Sequence, residues 1–365
     1  MNIVLLLVLI ISIWGIRLRK DDIEGHMSPK QTAAINGIFV MFVFLRHFGQ
    51  NIDFGEYDKI LRMVDNRLGQ MLVSTFLFYS GYGIMYSIIN KNNYIKSLPQ
   101  RFLKLLIQFD IAVLLFLTVD LILGYDYSIK TILLAFIGWT SIGNSNWYIF
   151  AMLCLYLITF ISGIICKKNH FLLIVLVTIG CAAYIVLLHM AGKPQYCYDT
   201  ILCFPVGLLY GLYIKGINIF LRSKKIIPAI YILISLMIFA GLYICEKKLT
   251  AQMPHLALLE LKNISFAIIF VALTTLLVIG NRVLNWLGKY VFEIYILQRI
   301  PMMVFKNVIT NKYIYFTICL ILTIIVSPLL KMLLSLIYKR IFNPRNNSNL
   351  TAKANSPITD NTQIL

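Results

Sequence analysis

The feature that most limits how this chain folds is a run of about twenty apolar residues that recurs along its length. A bilayer core about 30 Å thick is crossed by about 20 residues at about 1.5 Å of rise each. Inside it only helices and closed barrels satisfy every backbone polar group. We read spans at Asn2–Ile16, Ala33–Phe48, Met71–Ile89, Phe102–Gly124, Trp147–Cys166, Phe171–Met190, Thr200–Ile214, Ile226–Cys245, Ile264–Gly280, Val291–Phe305 and Tyr313–Ile337. Period-2 alternation is missing from these runs, which argues against a barrel. Hydrophobic residues make up 59% of the chain and charged residues only 13%, about half the charged share of a soluble domain. The expected fold class is all-α, a polytopic transmembrane helix bundle of about eleven spans, with the lipid bilayer as its first partner.

Eleven crossings place the two ends on opposite sides, and the distribution of Lys and Arg chooses between them. With the loop after the first span in the cytoplasm, the inner segments hold Arg17, Arg19, Lys20, Arg101, Lys104, Lys167, Lys168, Lys224, Lys225, Lys339 and Arg340, among others. The outer loops hold fewer cations and offset them with acids such as Asp53, Glu56, Asp58 and Asp65. The expectation is a multi-pass protein of the cell membrane with its N-terminus outside and its C-terminus cytoplasmic. The first span has no basic residue before it, no small-residue cleavage site, and "RLRK" after it, the pattern of an uncleaved helix. The net charge of +18 is thus topological. It can draw anionic headgroups or a phosphate-bearing ligand to the inner face, and it does not indicate nucleic acid. Seven cysteines show no paired spacing, so neither disulfides nor a metal site is expected.

The loops are short and leave no room for a soluble catalytic domain. Residues 1–29 read as an extra span and its cytoplasmic loop, 30–340 as the membrane core, and 341–365, rich in Asn, Thr and Ser, as a disordered cytoplasmic tail. The stretch "IKTILLAFIGWTSIG" is too short to span and reads as re-entrant or interfacial.

Charges inside the bilayer are costly and therefore mark function. The second span ends in Arg46 and His47; the fourth carries Asp110 and Asp120, and the tenth Glu293 and Arg299. Arg46 reads as snorkelling to the outer headgroups, while His47, about 100° further round the helix, faces the interior. Glu293, inside "YVFEIYILQRIP", is too far from either end to reach water and needs a cavity or a partner. A buried imidazole with a buried carboxylate is the minimum for general-base chemistry on a hydroxyl. No P-loop, HExxH, GxSxG or GxGxxG competes with that chemistry.

Six segments in order resemble the membrane acyltransferase-3 family, over about Lys30 to Arg340: "INGIFVMFVFLRHF", "TFLFYSGYGIMYS", "LPQRFLKLL", "NSNWYIFAMLCLYL", "FPVGLLYGLY" and "FEIYILQRIP". The first is similar to the family's first core helix and maps its invariant His to His47. The resemblance implies a ten-helix core, preceded here by the extra N-terminal span. It also implies an O-acyltransferase that moves an acyl group, most often acetyl, from cytoplasmic acyl-CoA to a surface glycan such as capsular or exopolysaccharide. Acyl-CoA is then a co-substrate, and no bound cofactor or metal is expected. His47 acts as general base or transient acyl carrier, with Glu293 to orient it. Arg101 and Lys104 meet the coenzyme's phosphates, and Ser80, Tyr82, Asn146 and Tyr148 are candidate donors to the oxyanion. Two positions depart from the family pattern: Asn36 stands where a basic residue usually precedes the His by eleven positions, and Gln298 where a late His is common. The alternative reading is a non-enzymatic transporter or flippase for glycans or small molecules, whose path the intramembrane charges would line.

Overall fold

The computed structural model describes residues 1–20, 23–249 and 252–342, so most of the tail beyond 341 lies outside the described residues. Helices are α1 Asn2–Ile13, α2 Pro29–Gly49, α3 Lys59–Asn90, α4 Tyr94–Leu123, α5 Ile129–Phe136, α6 Trp147–Cys166, α7 His170–Met190, α8 Cys203–Arg222, α9 Ile227–Lys248, α10 Gln252–Leu276, α11 Arg282–Lys289, α12 Val291–Leu297, α13 Arg299–Phe305 and α14 Lys312–Phe342. Among the described residues, nine of these are long and apolar enough to cross a membrane. Ile219, Leu233 and Met237 are each more than half exposed, an outward apolar surface that only lipid accommodates at this scale. The protein is a multi-pass helical membrane protein.

Two expected spans take other forms. The first is α1, twelve residues, about 18 Å of helix at about 1.5 Å per residue. Both of its ends are tied into the bundle. Asn2 Oδ1 accepts from Leu61 N beside the start of α3, and at the other end Asn281 Nδ2 donates to Ile11 O and Trp14 O. The tenth is broken into α12 and α13 at Gln298. Pro301 has no N–H to give the carbonyl four residues back, Leu297, and its ring crowds that carbonyl. Broken helix inside a membrane bundle is tolerated where it lines a cavity, and α12–α13 does so here. The stretch read as interfacial forms the eight-residue α5 with Ile129 and Leu133 exposed and Ala135 buried.

Helix α2 organises the bundle. Ser28 caps it by accepting from Gln31 N at 3.3 Å, and Pro29 supplies a pre-set first turn. Behind its N-terminus a two-residue antiparallel pair, β1 Arg17–Leu18 with β2 Leu277–Val278, joins the end of α1 to the end of α10. The "SGY" of α3 serves close packing. A Cβ on Gly81 would sit 2.1 Å from Phe204 O and one on Gly207 2.1 Å from Phe78 O, so α3 and α8 touch backbone to backbone, as small residues allow in membranes.

Candidate active site

Helix α2 ends at one face of the bundle, and its last turn delivers Arg46 and His47 to a cavity of about 640 Å³. Five other segments close the walls: the middle of α3, the turn before α6, the broken α12–α13, α10, and the loop before α8. Arg46 lines this cavity, with its guanidinium alongside Gly69.

His47 Nε2 lies 3.4 Å from Ser145 Oγ, a long contact of the kind seen before a substrate tightens a site. Its Nδ1 is buried and has no hydrogen-bond partner among the described residues. The ring is 6.1 Å from that of Tyr295, which stacks edge-on to Tyr148 at 5.6 Å. Asn144 is pinned: its Oδ1 accepts from Ile142 N at 3.1 Å and Ser141 Oγ at 3.3 Å. That leaves Nδ2 buried without a partner among the described residues. Gln70 Oε1, Asp199 Oδ1, Asn263 Oδ1 and Arg299 Nε, all on cavity residues, are in the same state. Buried polar atoms are ordinarily paired, so this mixed set of donors and acceptors is suited to a ligand that both donates and accepts. Asp199, in the loop before α8, has its carboxyl pushed up to about 7 by burial, against the opposing pull of Lys262.

A second, apolar cavity of about 70 Å³ lies next to the first, sharing Val43, Val73 and Tyr295 with it and lined also by Val40, Phe76 and Tyr148. Residues 36, 40, 43 and 47 fall on one stripe of α2 at about 100° per residue. The stripe therefore leads from Asn36, whose Oδ1 is buried without a partner among the described residues, past the apolar cavity to His47. At the opposite end a recess of about 430 Å³ is lined by Arg17, Arg19 and Lys30.

The remaining sequence expectations divide. Asn146 lines the large cavity and anchors its wall through Nδ2 to Gly138 O at 2.7 Å. Tyr148 lines the apolar cavity, and Ser80 reaches its hydroxyl. Tyr82 lines neither; it packs on Tyr210 and Tyr86 in the α3–α8 contact. Glu293 accepts from Gln108 Nε2 at 3.4 Å and pairs with Lys331 at 3.7 Å. Tyr295 faces His47, and Glu293, two positions earlier, points about 200° away, toward Gln108 and Lys331. Arg101 stacks on Tyr94 and Lys104 over Tyr338 and Phe342, outside both cavities. Missed in the sequence were Ser145 and Asn144, adjacent to the expected Asn146, together with Tyr295, Asp199 and Lys262.

A family model described as an acyltransferase domain matches residues 34–332. No curated protein and no solved structure matches the chain. The matched region holds α2 from its second turn, both cavities and the broken helix, and on this match the chain belongs to the membrane acyltransferase-3 family.

Proposed function

We propose that the protein transfers an acetyl group from cytoplasmic acyl-CoA to a hydroxyl of a surface glycan on the other side of the cell membrane. The orientation is that of the Lys/Arg distribution, with the His47 end outside. The observation that carries the reading is the place of His47, where a wide polar cavity meets a small apolar one that continues down the same stripe of α2. The apolar cavity, at about 70 Å³, is small beside the polar one and suits a short acyl group. The orphaned donors and acceptors of the large cavity suit a polyhydroxylated acceptor.

In this reading the thioester lies along the stripe with its acyl end in the apolar cavity. A sugar hydroxyl oxygen attacks the thioester carbon as His47 Nε2 takes its proton. Negative charge collects on the carbonyl oxygen, where Asn144 Nδ2 and the Arg299 guanidinium are available to receive it. The C–S bond then breaks, the ester remains on the sugar, and the proton passes from His47 to the departing sulfur. Ser145 Oγ, the neighbour of Nε2 at 3.4 Å, marks the position that the acceptor hydroxyl takes when it binds. Arg101 and Lys104 are the proposed contacts of the coenzyme's phosphates. The test is labelled acetyl-CoA supplied to inside-out vesicles from cells with and without the protein. Label in extractable glycan that depends on the protein is expected; label confined to the donor pool overturns the reading.

A further inference from the structure

A second outer cavity of about 370 Å³ adjoins the His47 cavity and shares Ser141, Asn146, Trp147 and Tyr196 with it. Two of the chain's four tryptophans line it, Trp139 and Trp147. Its walls alternate rings with small polar groups. Trp139 meets Phe150 edge-on at 5.4 Å, and Trp147 meets Tyr196 at 6.1 Å; Thr140, Ser141, Asn146 and Lys193 stand between them. The wall is built rather than loose. Asn146 Nδ2 donates to Gly138 O at 2.7 Å, Thr140 Oγ1 to Thr131 O at 2.7 Å, and Lys193 Nζ to Trp139 O at 2.5 Å, with the ammonium 4.1 Å from the Trp139 ring centre. Gly138 has φ +77° and would place a Cβ 3.2 Å from that of Phe150, so only glycine brings this loop so near α6.

Aromatic faces carry negative charge density and attract the weakly positive C–H faces of a sugar ring, while polar groups between the rings meet its hydroxyls. A lipid tail would find polar atoms interrupting such a surface, at a cost for each one desolvated. We infer that this cavity is a saccharide subsite that holds a sugar unit next to the one being acylated, so that the acceptor is an oligo- or polysaccharide engaged over at least two units. The inference rests on the transfer reading for the identity of the neighbouring site, but its own ligand is named by the walls described here.

The test uses the full chain in nanodiscs and mono- to tetrasaccharide fragments released from the host's surface glycan. Wild-type protein is expected to show a lower acceptor KM for the tetrasaccharide than for the monosaccharide. Trp139→Ala should erase that preference by raising the tetrasaccharide KM about tenfold, the scale of one lost aromatic anchor, and Trp139→Phe should restore most of it. Equal KM for all fragment lengths in the wild-type protein, or a preference that survives Trp139→Ala, overturns the subsite. A separate readout covers failure of the transfer reading: saturable quenching of tryptophan emission by the tetrasaccharide, weakened in Trp139→Phe, upholds the subsite even without turnover. Absence of quenching beside intact turnover sinks it and leaves the transfer reading standing.

Discussion

The two ends of α2 differ in how they hold their polar groups. At the His47 end, side chains from six segments converge on one cavity, and several of their polar atoms are buried with no partner among the described residues. On the opposite side the two expected phosphate contacts lie against rings: Arg101 on Tyr94, and Lys104 over Tyr338 and Phe342. The cations that do line a recess there are Arg17, Arg19 and Lys30. Unpaired buried groups are costly, and a fold retains them where a ligand completes them. On the transfer reading proposed above, the contrast teaches that the side taking the acceptor is arranged before its ligand arrives, whereas the side taking the donor presents charge on surfaces fixed for other reasons.

The sharpest way to break this contrast is to remove a pre-set donor. Asn144→Ala should lower kcat about 10²- to 10³-fold, as loss of an oxyanion donor does, with little change in acceptor KM. A loss confined to KM would make Asn144 a binding group instead. Next in size is donor length. In a series of acyl-CoA thioesters, each methylene beyond acetyl should cost about tenfold or more in kcat/KM, the discrimination typical of an apolar pocket, and Val43→Ala should relax it. Equal use of acetyl and butyryl donors would remove the apolar cavity from the reaction.

How much of this was legible in the sequence follows from what each signal depends on. The spans depend on local hydropathy, and all but two appear as long helices. The exceptions are α1, which is short, and the pair α12–α13, whose break follows from Pro301, a residue visible in the sequence but not weighed against Leu297. His47 was legible through the resemblance of "INGIFVMFVFLRHF" to a family helix; closing an apolar run does not single it out, because His189 does the same. Its surroundings were not. Ser145, Tyr295, Asp199 and Lys262 come from four separate elements, and no linear pattern joins them. For Glu293, burial shows that a carboxylate needs a partner without showing which, and in the fold its neighbours are Gln108 and Lys331. Ser80 and Tyr82 sit in a motif whose glycine is explained by the close approach of α8.

Smaller effects sharpen the donor side. Replacing Arg101 and Lys104 together should raise the apparent KM for acyl-CoA about tenfold, in keeping with loss of charged hydrogen bonds. An unchanged KM there, with a raised one on replacing Arg17 and Lys30, would move the phosphates to the recess beside β1. The smallest effect belongs to Asp199. Burial pushes its carboxyl up to about 7 from the ordinary 3.8, so between those values the unfolded chain releases a proton that the folded chain keeps. Stability should therefore fall as pH rises through that window, and Asp199→Asn should flatten the profile of Tm against pH. An identical slope in the variant would show that the carboxyl is not held neutral.

The most direct test of the central claim is the O-acyl content of the host's surface glycan, measured by mass spectrometry in cells carrying His47→Ala at wild-type protein level. If the imidazole at the meeting point of the two cavities takes the acceptor's proton, acylation should fall by about 10²- to 10⁴-fold. Wild-type acylation in that variant would contradict the account.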